Sequence, residues 1–259
     1  MKKILKKIIP TLLLKLFRIF YWSWGDAVGK HGAPPAYLRY KVHGHLDIPL
    51  FLSGGEKNAS CLLAAIKRAG MKLKDDLTVL DFGCGPGGTL MAFGEKTSPG
   101  AKLFGTDIDA SAIKWCSKYL KKGHFTINSN EPPMAFENNF FDIIFAVSVF
   151  THLNEQYQFD WLRDLHRIAK PGALLLLTVH GALAPAWKNI PQHQKDIFDK
   201  QGYYYYRNDG WGLFFPDFYH TTFHSKEYIN KTWASFFNVL DIWELGLGGH
   251  QDIVSLIKK

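Results

Sequence analysis

The sequence predicts an α/β protein organised around a parallel, doubly wound sheet, and three observations carry that expectation. Apolar runs of strand length alternate with helix-length amphipathic segments over about residues 77 to 181. The first run, Val79 to Gly88 (VLDFGCGPGG), ends in an acid and a glycine-rich turn that leads into a helical pattern. A second acid, Asp107, closes the next apolar run about twenty residues further on, where α/β proteins place a carboxylate against ribose hydroxyls.

The elements follow in order. Leu62, Leu63, Ile66 and Ala69 recur at helical spacing, so a helix is expected from Gly55 to Ala69, stopped by Gly70. The glycine turn separates the first strand from a helix over Thr89–Lys96. Lys102–Ile108 reads as the second strand; Asp109 then suits the N-cap of a helix over Ala110–Lys121, because its side chain can accept a first-turn N–H. Phe125–Asn128 and Phe141–Val147 read as strands three and four, and Glu155–Ala169 as a helix. Lys170-Pro171-Gly172 reads as a turn into strand five, Ala173–His180. Near the end, a helix over Ser225–Phe236 precedes two strands, Phe237–Trp243 and Asp252–Ile257, joined by the glycine-rich link Gly246–His250.

The glycine turn is where a small molecule is expected to lie. Gly83, Gly85 and Gly87 remove the Cβ atoms that would hold backbone away from a ligand, and they admit positive φ. Gly83, Gly85 and Gly88 also satisfy the G-x-G-x-x-G spacing of dinucleotide sites. Two neighbours oppose a pyrophosphate there: the Asp81 carboxylate would repel it, and Pro86 lacks the N–H that an anion cradle uses. The same features suit a ligand with a cationic amino-acid end.

Together with GTDID at Gly105–Asp109, FDIIFAVSVFTHL at Phe141–Leu153 and WLRDLHRIAKPGALLLLTVHG at Trp161–Gly181, this turn resembles the class I S-adenosylmethionine-dependent methyltransferases. The resemblance covers about residues 77 to 181 and implies a Rossmann-like seven-stranded sheet whose last strand is antiparallel. It implies S-adenosyl-L-methionine as cofactor, held by Asp81, Gly83, Cys84, Gly85, Gly87, Asp107, Ile108 and Ser148, with Asn130 against the adenine amino group. Strand four ends in Ala-Val-Ser-Val, without the Asn-Pro-Pro-Tyr or Asp-Pro-Pro-Tyr of family members that methylate base amines, so a nucleic-acid substrate is not expected.

Around this core, residues 1–54 read as an N-terminal extension and residues 55–259 as the methyltransferase domain, with 181–224 an aromatic-rich insertion, a lid in expectation, before the last two strands. Residues 1–30 contribute +6 of the net charge of +8, with seven Lys or Arg against Asp26. Leu5, Ile8, Ile9, Leu12, Leu16 and Phe20 make residues 2–21 a basic amphipathic helix, which either contacts an anionic membrane surface peripherally or packs on its own domain. The remaining residues carry only +2, which again argues against a nucleic-acid partner. Cys61, Cys84 and Cys116 form neither a zinc cluster nor a disulfide framework, and a reducing cytosol is the simplest compartment.

Between Trp24 and Pro49 the chain reads as irregular or short-helical, and His31, Tyr37, Arg39, Tyr40, His43 and His45 are candidates for a substrate mouth. In the insertion, Tyr203–Tyr206 and the aromatics that follow either stack on a sugar or apolar acceptor or form the small core of a hairpin. His220 and His224 lack a third ligand, so no metal is expected. A sulfonium methyl needs only an aligned nucleophile and, for a hydroxyl, a proton acceptor; His180, His224 and His220 are the candidates. The expected activity is therefore methyl transfer to a small-molecule acceptor, a hydroxyl of a glycan, lipid-linked sugar or related metabolite. The competing readings are an NAD-dependent oxidoreductase and a non-catalytic cofactor-binding protein at the membrane surface.

Overall fold

The computed structural model describes residues 33–206, 216 and 218–259. The amphipathic segment 2–21, His31, Trp211, Phe214 and Phe215 lie outside the described residues. Two helices come first, α1 (Ala36–His43) and α2 (Ile48–Arg68). A regular alternation follows: β1 (Thr78–Phe82), α3 (Gly88–Glu95), β2 (Lys102–Asp107), α4 (Ala110–Tyr119), β3 (Gly123–Ile127), β4 (Phe141–Ala146), α5 (Glu155–Ile168) and β5 (Ala169–Val179). The chain then adds a 3-10 turn (Pro185–Asn189), α6 (Gln192–Gln201), the strands β6 (Tyr203–Tyr206) and β7 (Thr221–His224), α7 (Lys226–Thr232), β8 (Asn238–Leu247) and β9 (Gln251–Ile257).

Seven strands form one sheet in the order β3-β2-β1-β4-β5-β9-β8. The first five are parallel, and β9 runs antiparallel between β5 and β8, as expected. Apolar residues cover both faces of the central strands because helices lie on both sides. Leu80, Ile144, Leu175 and Leu177 face α5 and α7, while Val79, Ile143, Leu174 and Leu176 face α2 and α3. Reversal of the order beside β1 leaves a crevice at the strands' carboxyl ends, where open α/β sheets receive ligands.

Local chemistry sets several boundaries. Asp109 caps α4, accepting the N–H of Ser111 at 2.9 Å, and Ser225 caps α7, accepting that of Tyr228 at 3.0 Å. Two stretches, residues 170–172 and the start of α2, depart from the sequence reading. Lys170-Pro171-Gly172 lies inside β5 rather than before it: Phe141 pairs with Ala169 and Ile143 with Leu174, so the three residues bulge, with Gly172 at φ 75. Part of the stretch read as irregular or short-helical is the short helix α1. Finally, α2 begins at Ile48, capped by Asp47, and passes through Gly54 and Gly55 without interruption.

Those two glycines obscured the helix because glycine is a poor helix former, yet packing explains Gly55. A Cβ there would stand 2.7 Å from the carbonyl oxygen of Gly88, at the start of α3. Helix propensity alone favours alanine by about 1 kcal/mol, whereas forcing backbone apart in a filled core costs about 1–3 kcal/mol. Gly55→Ala is therefore expected to destabilise the protein, read as a lower midpoint in urea unfolding; an unchanged or higher midpoint would show that α2 and α3 can separate freely.

Candidate active site

The β1–α3 turn is built by three glycines in the left-handed region, Gly83, Gly85 and Gly87 at φ 80, 49 and 79. Two backbone bonds pin it to β2, from the N–H groups of Gly83 and Cys84 to the carbonyl of Thr106, at 2.8 and 2.9 Å. A Cβ on Gly83 would collide with Val149 beyond β4. Gly87 serves the loop rather than the crevice, since a Cβ there would meet Leu120 at 2.5 Å. Cys84 is buried, and burial pushes its thiol well up, so it stays protonated.

Around this turn lies a cavity of about 610 Å³. Asp81, Gly83, Cys84, Gly85, Asp107, Ile108, Asn130 and Ser148 all line it, so of the sequence-predicted cofactor residues only Gly87 stands off its wall. The Asp107 carboxylate accepts the N–H of Gly85 at 2.7 Å and that of Asp109 at 2.8 Å, leaving lone pairs on both oxygens for hydroxyl donors. Asp81 is 2% exposed, and burial, with Asp107 nearby, holds its carboxyl well above the usual range. No donor from the described residues compensates it, which fits a cationic ligand group. Ser148 sits at φ 59, its N–H on Thr178 Oγ1 at 2.8 Å and its hydroxyl on the Gln251 amide, also at 2.8 Å.

The sequence reading missed Asn128. Among the described residues its buried Oδ1 has no partner, on the rim that Asn130 shares, which leaves it able to accept a donor from a ligand. The signal was faint, because Asn128 reads as the end of a strand.

The remaining wall comes from outside the core alternation. Helix α1 contributes Leu38, Lys41, Val42 and His43; α2 contributes Phe51 and Lys57; the end of β8 contributes Leu247 and the β8–β9 link His250. Pro216, Phe218 and Tyr219 close it from the insertion. Of the mouth candidates, His43 alone is on the wall among those described. The four tyrosines of β6 are not on it. Tyr204 and Tyr206 pack with Ile190, Phe198 and Phe223, and Tyr203 and Tyr205 bond the carbonyls of Leu153 and Phe218.

The three histidines proposed from sequence as proton acceptors also lie off the cavity wall. His224 is buried, its Nε2 on Gln158 Oε1 at 2.8 Å and its backbone N–H on the carbonyl of His180 at 2.9 Å. His220 offers its carbonyl to His152 Nδ1 at 2.8 Å, and His152 stacks on Tyr219 with centroids 3.9 Å apart. His180 packs on Phe223 and edge-on to His152. These contacts attach the β6–β7 ribbon to β5 and to the loop after β4. Among the described residues no group of three or more His, Cys, Asp or Glu could hold a metal ion, and no helix is long and apolar enough to cross a membrane.

Comparison with known proteins agrees with this geometry. The model of a methyltransferase domain family matches residues 56–236, and the chain belongs to that family. Its fold is that of the class I S-adenosylmethionine-dependent methyltransferases. One such enzyme from Methanosarcina mazei superposes with a TM-score of 0.53 at 19% identity, covering 72% of this chain and 94% of that one. The 1,6-didemethyltoxoflavin-N1-methyltransferase of Burkholderia thailandensis, solved with its substrate and S-adenosylhomocysteine, gives 0.55 at 14% identity, over 79% and 78%. In sequence, the botryococcene C-methyltransferase of Botryococcus braunii is 31% identical over 153 residues, 56% of this chain. The chain spans 38% of that relative's length.

The buried histidines have a consequence for stability. Burial lowers His152 and His224 to about 3 and His180 to about 4, against 6.5 ordinarily. All three are neutral in the fold at neutral pH, but in the unfolded chain they take up protons below about pH 6.5. Their contribution is thus intact above that pH and is lost as pH falls toward 4, on the order of 1 kcal/mol per histidine for each pH unit. The thermal midpoint should drop across this window, and His224→Gln should flatten the drop; a variant with an unchanged slope would remove His224 from the account.

Proposed function

We propose that the protein transfers the methyl group of S-adenosylmethionine to a hydroxyl of a small acceptor, of the kind found on a glycan, a lipid-linked sugar or a related metabolite. The observation that carries this reading is the composition of the cavity wall. It presents polar groups suited to each part of the cofactor: Asp81 for the ammonium, Asp107 for the ribose, Asn128 and Asn130 for the adenine. The same wall carries aromatic faces, Phe51, Phe218 and Tyr219, and the imidazoles of His43 and His250. Rings of this kind take the face of a sugar or an apolar ring system, and an imidazole accepts a hydroxyl proton near neutral pH.

The bound cofactor supplies an electrophilic methyl on a sulfonium, so the chain's share of the work is alignment, exclusion of water and removal of one proton. We assign the proton to His250, which is on the wall. His180 is a neighbour of it: burial lowers the His180 pKa most, a bond with the Thr222 backbone offsets part of that, and the His250 charge lowers it further. The three histidines expected from sequence as proton acceptors stand off the wall: His180 is a neighbour of the His250 imidazole, and His224 and His220 help to anchor the insertion that carries Phe218 and Tyr219.

A second reading, methylation of carbon on an apolar acceptor, is favoured by the relative that methylates botryococcene and by the apolar wall from Leu38, Val42 and Leu247. It needs no hydroxyl proton acceptor.

Calorimetric titration with S-adenosylmethionine, S-adenosylhomocysteine and NAD tests the donor side. Both adenosyl ligands should bind, NAD should not, and Asp107→Ala should weaken adenosyl binding about tenfold or more; binding of NAD alone would overturn the reading. On the acceptor side, transfer of labelled methyl to sugar-bearing or isoprenoid alcohols should fall at least about tenfold in His250→Ala, with adenosyl affinity retained. Undiminished transfer by that variant would favour the carbon reading.

A further inference from the structure

Asp81 and Asp107 end adjacent parallel strands and line one cavity. Their electrostatic situations differ. Burial raises the Asp107 carboxyl too, but two backbone N–H donors, from Gly85 and Asp109, offset part of that, so it is held less far above the usual range than Asp81. Asp81 is buried at 2% exposure, and no donor from the described residues serves it.

The other titratable groups on the wall leave that imbalance in place. From α1, Lys41 is committed to Asp109 at 2.7 Å, and burial lowers His43 toward the neutral form. From α2, Lys57 reaches the carbonyl of Gly248 at 3.3 Å. The Cys84 thiol beside Asp81 and the Tyr219 phenol above the site are held protonated by burial. His250, at the β8–β9 link, is exposed to solvent at the rim, and β4 offers only the hydroxyl of Ser148. Two carboxylates share one partly dry cleft, and only Asp107 has donors that offset part of its burial, so without a further positive charge the proton is held at Asp81.

We propose that the ligand-free site carries a proton on Asp81, and that loading of an adenosyl ligand with an ammonium group releases that proton to solvent. The inference rests on the cofactor assignment above and adds a property to it. The O–H bond of the Asp81 carboxyl breaks, the proton leaves to buffer, and the carboxylate takes the ammonium as its counter-charge. Cofactor affinity is then linked to pH through Asp81 itself. It weakens as acid competes for the carboxylate, approaching tenfold per pH unit where the free site is fully protonated.

Titration with S-adenosylhomocysteine at about pH 7 in phosphate and in Tris measures the release, because the buffers differ in ionisation enthalpy and the apparent heats then differ by the protons transferred. Between about half a proton and one proton per site is expected from the unmodified protein. Two controls are expected near zero: Asp81→Asn with the same ligand, and the unmodified protein with 5′-methylthioadenosine, which lacks the amino-acid end. The second control keeps the test independent of whether the variant folds. Binding of S-adenosylhomocysteine with equal heats in both buffers overturns the proposal and leaves the cofactor assignment standing. An equal release with methylthioadenosine overturns it too, since the ammonium would not be the cause. Absence of S-adenosylhomocysteine binding would instead remove the cofactor assignment, and the proposal with it.

Discussion

The bond from the Gly85 N–H to the Asp107 carboxylate, 2.7 Å long, is the contact on which the site depends. It ties the glycine turn after β1 to the end of β2, and so fixes two ligand-facing groups with one interaction. The other Asp107 oxygen takes the N–H of Asp109, whose own carboxylate caps α4 and accepts Lys41 from α1. A chain of polar contacts thus runs from the turn through two acids to the helix lying over the cavity. Each acid is at once a structural acceptor and a wall residue, which is how the fold keeps negative charge in a crevice that burial would otherwise neutralise.

What could be read from sequence divides along the same line. The strands, the turn, the spacing to Asp107 and the Asp109 cap are local patterns, in which the residue that carries the signal also makes the interaction. The Gly54-Gly55 pair misled because its cause is 33 positions away: Gly55 must admit the Gly88 carbonyl, and no window centred on α2 contains that fact. The Lys170-Pro171-Gly172 bulge misled for the opposite reason. Its residues are ordinary turn formers, and only pairing with β4 keeps them in the strand.

The histidines show the limit most clearly. Position at a strand end made His180 a candidate base, and a place in the aromatic segment made His220 and His224 candidates, but neither property says which way a ring points. In the fold, His224 spends its Nε2 on Gln158 and His220 lends its carbonyl to His152. His250, in a glycine-rich link that read only as a turn, reaches the wall instead. Aromatic density left two readings open, and different rings follow each: the tyrosines of β6 build a hairpin with a small core of its own, while Phe218 and Tyr219 line the cavity.

The insertion's place follows from topology. Strand β5 ends at the same carboxyl edge as β1 and β4, so a segment added after it emerges over the crevice, and β8 can re-enter the sheet without disturbing any parallel pair. Such a segment can vary freely only if it is anchored by contacts that do not use the cofactor wall. The bonds from Thr222 to the backbone of Thr151 and Leu153, and from His224 to Gln158, meet that condition. They hold the ribbon through neutral, buried groups that do not add charge to a crevice already crowded with carboxylates. The cavity wall therefore draws on two sources: the strand ends and glycine turn of the sheet, and the insertion and β8–β9 link, which add Phe218, Tyr219 and His250.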